Sequence, residues 1–444
     1  MKKEAAKKLV ILGQDLSVIL GVVSNVLSWL VSRFVPQLLP HLLPKIEEQD
    51  KDDTPSSKQT KCIAIGRPGG MEQLRMITLK PGFCTCGYNI ENPTPFFDIS
   101  GGDDTLPPNS VVLRVHAFSI NYADCCIRWG LYESANQFVG WPIVPGFDVA
   151  GVVERVSSEN SSGDFKVGDA VFGATFFGAY STRVLVPNQQ LRKVPKGLSM
   201  AQAASLPTVS LTALYALYLG GQYPVPTISL NNKSILIHSA AGGVGTMLVQ
   251  MSKLLQLSPV VGVVGRSNKV DACKAVGCDI VIDKSTQDLW KEAEQASPQG
   301  YAVVADANGV STLRESYNHL GPTGRVIVFG FHSNLPMNQD LLSPMEWIRV
   351  IWKMILMPKI DPMDLTASNK SLLGFNLSFF VKEVEMLGML YDQIVSWLEQ
   401  EKLICPRVVE MNMEEIARAH EFIQSGTSVG KIVMMTNVSS ELNE

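Results

Sequence analysis

Histidine and cysteine are scarce in this chain, at six and eight among 444 residues. The cysteines (Cys62, Cys84, Cys86, Cys125, Cys126, Cys273, Cys278 and Cys405) are too thinly spread for a disulfide framework and fit a reducing compartment. Cys84-Thr-Cys86 and Cys125-Cys126 are too close-set to build a four-ligand metal cage unaided. Neither a strand-to-helix Gly-x-Ser-x-Gly elbow nor a His-Glu-x-x-His helix is read, so hydrolase chemistry has no foothold. An excess of basic charge is lacking too. With 38 Lys and Arg against 42 Asp and Glu, the net charge is −4, and no cationic face is offered to nucleic acid.

Charge is also missing from Leu16 to Ser32, a run bounded by Asp15 and Arg33. That is short for a bilayer span, which takes about 20 residues. On a helix, Ser17, Gly21, Ser24, Asn25, Ser28 and Ser32 form one narrow stripe. Residues 1–36 therefore read as an apolar helical segment, with three uses open: membrane anchor or interface-lying helix, docking helix, or cleaved targeting peptide. An anchored chain is expected to face the cytoplasm, on the mitochondrial outer membrane or another organelle. Pro36, Pro40, Pro44 and the polar stretch that follows make residues 37–60 a linker.

What the remainder has in quantity is alternation. Short β-like runs (Val111 to Ile120, Val149 to Val156, Ala170 to Phe172, Thr182 to Val186), broken by Gly and Pro, suggest a small twisted barrel over 61–188. From 189 to 369 helix and strand alternate, the pattern of a doubly wound parallel sheet. Its first helix is expected over Met200 to Leu219. Residues 370–436 carry a long helix, expected over Phe379 to Glu399, and a last strand, Lys431 to Met435. They are read as closing the first domain, with 437–444 a tail. The fold class is thus α/β, a β-barrel domain plus a Rossmann domain.

The sharpest motif is Ile235-Leu-Ile-His-Ser-Ala-Ala-Gly-Gly-Val-Gly-Thr, where an apolar strand runs into Gly242, Gly243, Val244 and Gly245 and a helix begins. Glycines let backbone N–H groups approach a pyrophosphate at the helix amino terminus. The second strand ends Gly265-Arg266-Ser267-Asn-Lys269 with no carboxylate for a ribose 2′-hydroxyl. Arg266, Ser267 and Lys269, with Lys284 beyond the third strand, suit a 2′-phosphate, so NADPH is expected over NADH. His238, on the apolar strand, reads as a core residue.

Taken in order, several segments resemble the zinc-free quinone oxidoreductase branch of the medium-chain dehydrogenase/reductase superfamily, which includes zeta-crystallin-like reductases. They are Ser119-Ile-Asn-Tyr-Ala-Asp, Arg128-Trp-Gly-Leu-Tyr, Pro145-Gly-Phe-Asp-Val-Ala-Gly, Val167-Gly-Asp-Ala-Val-Phe-Gly, Ala203-Ala-Ser-Leu-Pro-Thr, the glycine loop and Gly324-Arg-Val-Ile-Val-Phe-Gly. Within the branch, Ser371-Leu-Leu-Gly-Phe-Asn-Leu and Val429-Gly-Lys-Ile-Val look like the vesicle amine transport protein (synaptic vesicle membrane protein) homologues. The resemblance implies a GroES-like substrate domain, with Asn121 beside the nicotinamide and Thr212 near its ribose. It also implies Gly242, Gly243 and Gly245 at the pyrophosphate, and Gly265 and Lys269 at the 2′-phosphate. Where zinc-dependent relatives carry a Cys-His pair and Gly-His-Glu, this chain has Asn121-Tyr-Ala-Asp and Gly146-Phe-Asp, without a thiolate and imidazole at ligand spacing. It departs from many quinone reductases at Lys284 and Cys126, positions where they carry tyrosines.

Hydride transfer without a metal requires an acceptor whose conjugation spreads the developing charge, such as a quinone or an α,β-unsaturated carbonyl. Tyr122, Trp129, Tyr132 and Phe176 are candidate pocket walls, and a homodimer is expected. A rival reading is a membrane-associated adaptor or lipid-handling protein that keeps the reductase fold with structural NADPH. The apolar amino terminus, the vesicle-protein resemblance and the apolar run Trp347 to Met357 favour it. That run reads as a membrane-facing loop or as an interface or core helix.

Overall fold

The computed structural model describes residues 59–87, 95–160, 163–224, 233–331, 352, 357–380 and 383–437. The apolar segment 1–36, nearly all of the linker and most of the run from 347 to 357 lie outside the described residues. Among the described residues no helix is long and apolar enough to cross a membrane.

The first half of the chain builds β1 (Lys61–Ala64), β2 (Arg75–Thr78), β3 (Phe83–Cys86), β4 (Phe96–Asp98), β5 (Ser110–Ile120), β6 (Asp148–Val156), β7 (Ala170–Ala174), β8 (Arg183–Pro187) and β9 (Leu191–Lys193). Valine and isoleucine, stiff at χ1 and suited to a pleated surface, recur in β5, β6 and β8. Seven of the nine strands hydrogen-bond in the order β4-β3-β8-β5-β6-β7-β9. Val111, Leu113 and Val115 of the central β5 pack with Val149, Val153, Val184 and Val186 into one core. Helices α1 (Tyr122–Arg128) and α2 (Glu133–Phe138) follow β5. At the β5–β6 ladder the register slips between Val115 and Ala117, so His116 is bulged opposite Gly151. A Cβ on Gly151 would stand 2.1 Å from the Arg114 carbonyl oxygen, so only glycine fits this crossing.

The second half alternates as expected, through α3 (Met200–Ala204), α4 (Pro207–Leu219), β10 (Ile235–His238), α5 (Gly243–Leu254), β11 (Val260–Val264), α6 (Val270–Ala275), β12 (Ile280–Asp283), α7 (Leu289–Ala296), β13 (Tyr301–Asp306), α8 (Val310–Asn318), β14 (Leu320–Val328), α9 (Pro362–Ser368) and β15 (Ser371–Gly374). The six strands are parallel in the order β12-β11-β10-β13-β14-β15, the dinucleotide-fold arrangement, which reverses direction of travel between β10 and β13. Side chains alternate across the sheet: Ile235 and Ile237 join the core on one face, Leu236 that on the other. The sheet runs beyond residue 369, because β15 pairs with β14.

Two expected helices change shape. The one expected over Met200 to Leu219 is split, since Pro207 has no N–H to continue α3 and instead occupies the first turn of α4. The one expected from Phe379 begins later, as α10 (Val384–Glu399), because the Asn376 side chain accepts from the Ser378 amide and closes a separate turn. After it come β16 (Val408–Asn412), α11 (Ile416–Gln424) and β17 (Lys431–Met435). β17 pairs antiparallel with β5, so the carboxy-terminal end of the chain returns to the barrel. On the way, the Gly430 amide donates to the Ala241 carbonyl at 3.1 Å and stitches the two sheets together.

Gly151→Ala is expected to force β5 and β6 apart and to cost about 3 kcal/mol of stability. A chemical-denaturation midpoint equal to that of the parent chain would contradict the steric argument.

Candidate functional site

β10 ends at His238, and the chain turns through Ser239, at φ 58°, into the amino terminus of α5. Gly242 caps that helix with no side-chain hydrogen bond, and the first turn carries no acidic residue. Its leading N–H groups and positive dipole end therefore face outward, ready for an anion. A Cβ on Gly245 would lie 2.4 Å from the Ser239 carbonyl oxygen and 2.6 Å from the Ala240 Cα, so the loop can draw this close to the strand only with glycine there. In front of it opens a cavity of about 990 Å³ between the two sheets. Asn121, Thr212, Gly242, Gly243, Val244, Gly245, Gly265, Arg266, Lys269 and Lys284 all line it. These features suit a dinucleotide: close-approach glycines, an uncapped helix end and cations on the neighbouring strand ends.

Ser267 is the exception among the expected site residues. It is not part of the lining, and its hydroxyl donates to Asp283 at 2.5 Å. Asp283 closes β12 in register with Val264 and also accepts from the Ser285 amide and hydroxyl. The Ser267 and Ser285 hydroxyls hold its carboxyl down at about 2. This carboxylate near the second-strand end escaped the sequence reading, but its acceptors are engaged and it does not reach the cavity.

The cations are also tethered. Arg266 donates to the Ser425 carbonyl at 2.9 Å and Lys269 to the Ser428 carbonyl at 2.7 Å. Burial, then the neighbouring Arg266, pulls the Lys269 pKa below its ordinary value. Each cation keeps further donors, since an ammonium has three and a guanidinium five. The accepting loop, Gly426-Thr-Ser-Val-Gly430, has the residue spacing of a hydrolase elbow. It leads from α11 into a strand, however, the reverse of the order that exposes a nucleophile.

At the opposite end a buried polar knot fixes Asn121. The fully buried Asp148 accepts from the Ser119 hydroxyl and the Asn121 amide nitrogen, both at 2.7 Å, and from the Thr208 amide at 2.7 Å. Lys431 donates to the Asn121 side-chain oxygen at 2.7 Å, the Ile120 carbonyl at 3.0 Å and Asp148 at 3.3 Å. Burial lowers the Lys431 pKa, and Asp148 opposes that shift. Beside it Asp124 accepts from the Asn121 and Gly146 amides, while burial lifts its carboxyl to about 7. Asp148 and Lys431 lay inside motifs already singled out, but only the fold shows that they meet.

Between these ends, Tyr122, Trp129, Tyr132 and Phe176 line an aromatic arm together with Cys126, Phe147 and Phe380. His238 is buried and also touches the cavity. Its Nε2 meets the Ser316 hydroxyl at 3.1 Å, Ser316 donates on to Asp306, and burial keeps the imidazole neutral. Among the described residues no group of three or more His, Cys, Asp or Glu could hold a metal ion.

Lys431→Met should leave Asp148 buried and unpaired, at a cost of about 3–5 kcal/mol. Adding Asp148→Asn should restore part of that loss. Thermal melts in which the double variant is as unstable as the sum of both single changes would show that the two side chains do not act as a pair.

Two families match the chain: the alcohol dehydrogenase GroES-like domain over residues 107–196 and the zinc-binding dehydrogenase over residues 243–385. The human synaptic vesicle membrane protein VAT-1 homolog is 30% identical over 336 residues, spanning 75% of this chain and 81% of its own. The chloroplastic NADPH-dependent alkenal/one oxidoreductase of Arabidopsis thaliana is 31% identical over 255 residues, spanning 54% of this chain and 62% of its own. A crystal structure of the quinone oxidoreductase of Pseudomonas syringae pv. tomato DC3000 superposes with a TM-score of 0.66 at 26% identity, covering 85% of this chain and 100% of that one. An α/β chain with a GroES-like domain, a parallel dinucleotide-fold sheet and this degree of likeness to VAT-1 homologues belongs to the medium-chain dehydrogenase/reductase superfamily, whose members are NAD(P)-dependent oxidoreductases.

Proposed function

We propose that this chain is an NADPH-dependent, zinc-independent reductase that passes a hydride to a quinone or an α,β-unsaturated carbonyl. The observation that carries the reading is the meeting, in one cavity, of an uncapped glycine-rich helix end, three cationic side chains and an aromatic arm. Bound NADPH would supply the hydride. The N–H groups of Gly243, Val244 and Gly245 would take the pyrophosphate, and Arg266, Lys269 and Lys284 the 2′-phosphate. Asn121, held at both ends of its amide by Asp148 and Lys431, would orient the nicotinamide end, with Thr212 beside the ribose. The aromatic arm would exclude water and stack a planar conjugated acceptor. The names of two relatives, an alkenal/one oxidoreductase and a quinone oxidoreductase, support the same acceptor classes.

NADPH is expected to bind at least about tenfold more tightly than NADH, a difference of about 1.4 kcal/mol, and Lys269→Ala should erase most of it. Calorimetry with both nucleotides measures this, and equal affinities unaffected by the substitution would sink the NADPH preference. Protein that binds NADPH yet oxidises it with no quinone or enal in a broad panel would sink the reductase reading.

A further inference from the structure

The chain leaves β15 at Gly374 and enters the short turn Leu377–Phe379, with Asn376 as its cap. The Asn376 Oδ1 accepts from the Ser378 amide at 3.0 Å, the Ser378 hydroxyl at 2.8 Å and the Tyr132 hydroxyl at 3.0 Å. A backbone amide can only donate, so the atom facing it is the oxygen, and the orientation of the side chain is fixed. The other end, Nδ2, has no hydrogen-bond partner among the described residues. Nor is it sealed by protein. Asn376 is half-buried, its Nδ2 is not among the enclosed polar atoms, and the residue lines the cavity.

The neighbours of Asn376 place it at the hydride end. The Phe375 ring stands 4.8 Å from that of Tyr215, which lies three residues beyond Thr212 on α4. The Tyr132 ring stands 5.9 Å from that of Phe147, and Phe147 directly precedes Asp148, which holds Asn121. Asn376 also follows the last strand of β13-β14-β15, over whose carboxyl ends the nicotinamide half of a dinucleotide lies. The other donors are spent. Lys431 gives its hydrogens to Ile120, Asn121 and Asp148, and Tyr132 gives its own to Asn376. Burial pushes the Tyr132 phenol up to about 12, so it stays neutral. Three donors on one oxygen polarise the Asn376 amide and strengthen the hydrogens on its nitrogen. An NH2 group takes an acceptor, and the acceptor that gains charge during reduction is a carbonyl oxygen.

We propose that Asn376 is a catalytic residue whose Nδ2 donates to the carbonyl oxygen of an α,β-unsaturated substrate. When the β-carbon takes the hydride from NADPH, the alkene pair moves to the bond between the α-carbon and the carbonyl carbon. The carbonyl pair then moves onto oxygen, where the Asn376 N–H meets the enolate charge. Solvent protonates the α-carbon and leaves a saturated carbonyl compound and NADP+. The proposal rests on the reductase reading of the same cavity and deepens it by naming the group that holds the charge.

Asn376→Asp tests it, because this change keeps an oxygen for the three donors, which hold the new carboxyl ionised, and removes the N–H. Reduction of 2-decenal by the full chain should lose about 100-fold in kcat, the cost of one missing oxyanion donor. The thermal midpoint, and the NADPH affinity read by calorimetry, should stay those of the parent chain. An unchanged kcat overturns the assignment and leaves the reductase reading standing. NADPH affinity that falls in step with kcat also overturns it, since the amide then serves the carboxamide of the nicotinamide. A second measurement needs no turnover: the absorption of 4-(dimethylamino)cinnamaldehyde on the NADP+-loaded protein, which moves to longer wavelength when the aldehyde oxygen accepts a hydrogen bond. The parent chain should produce that shift and Asn376→Asp should abolish it. Ser378→Ala should keep it, because it removes a donor to Oδ1 and leaves Nδ2 in place. A shift absent from the parent chain, surviving Asn376→Asp or lost equally in both variants overturns the donor role. The expected pattern of shifts in protein that reduces no enal or quinone keeps Asn376 as the carbonyl donor and removes the reductase reading.

Discussion

The carboxylate of Asp148 is the point on which the rest of the structure turns. It comes from β6, accepts from Ser119 of β5 and from Asn121 at the head of α1, takes the amide of Thr208 in α4 and faces Lys431 of β17. Barrel, dinucleotide-fold domain and carboxy-terminal strand therefore converge on one buried ion. A buried ion pair gains little net stability over an apolar replacement, because both charges lose their hydration. Its effect is directional: every donor aimed at Asp148 is fixed in angle, and Asn121 loses the freedom to rotate. The Asn121 side chain is thus held at both ends of its amide.

A second constraint lies at the other end. The segment from Ser425 to Gly430 accepts from Arg266 and Lys269 through its carbonyls and returns an amide to Ala241. One short loop thus touches both halves of the dinucleotide site, the glycine turn and the cationic strand end. It leads directly into Lys431. The tether of Arg266 and Lys269 and the knot that holds Asn121 are therefore only a few residues apart along the chain.

How far all this was legible in the sequence follows from the range of each interaction. The glycine loop, the alternation of β10 to β14 and the missing carboxylate after Val264 are local, and they were readable because strand, turn and helix periodicities are written within about a dozen residues. The split at Pro207 was locally visible too, but helix propensity on both sides masked it. Asp283 escaped because parallel pairing sets it beside Val264 across a full helix. Lys431 and Asp148 are 283 residues apart, and no period links them. Asn121 and Thr212 came from resemblance alone, although the knot around Asn121 gives that position a physical reason.

The order of the chain also bears on how the cavity is completed. Its glycine turn is local, but Tyr391, Ser425, Ser428 and Lys431 all belong to the stretch from α10 to β17. These residues supply the wall of the aromatic arm, the tether of the cationic loop and the charge opposite Asp148. Contacts of such sequence separation carry a larger loop-closure entropy than local ones. The two domains can each acquire their sheets from nearer contacts, while the site between them is assembled by the final crossing back to β5. The pairing of β17 with β5 carries Lys431 to Asp148 and seats the loop that tethers Arg266 and Lys269.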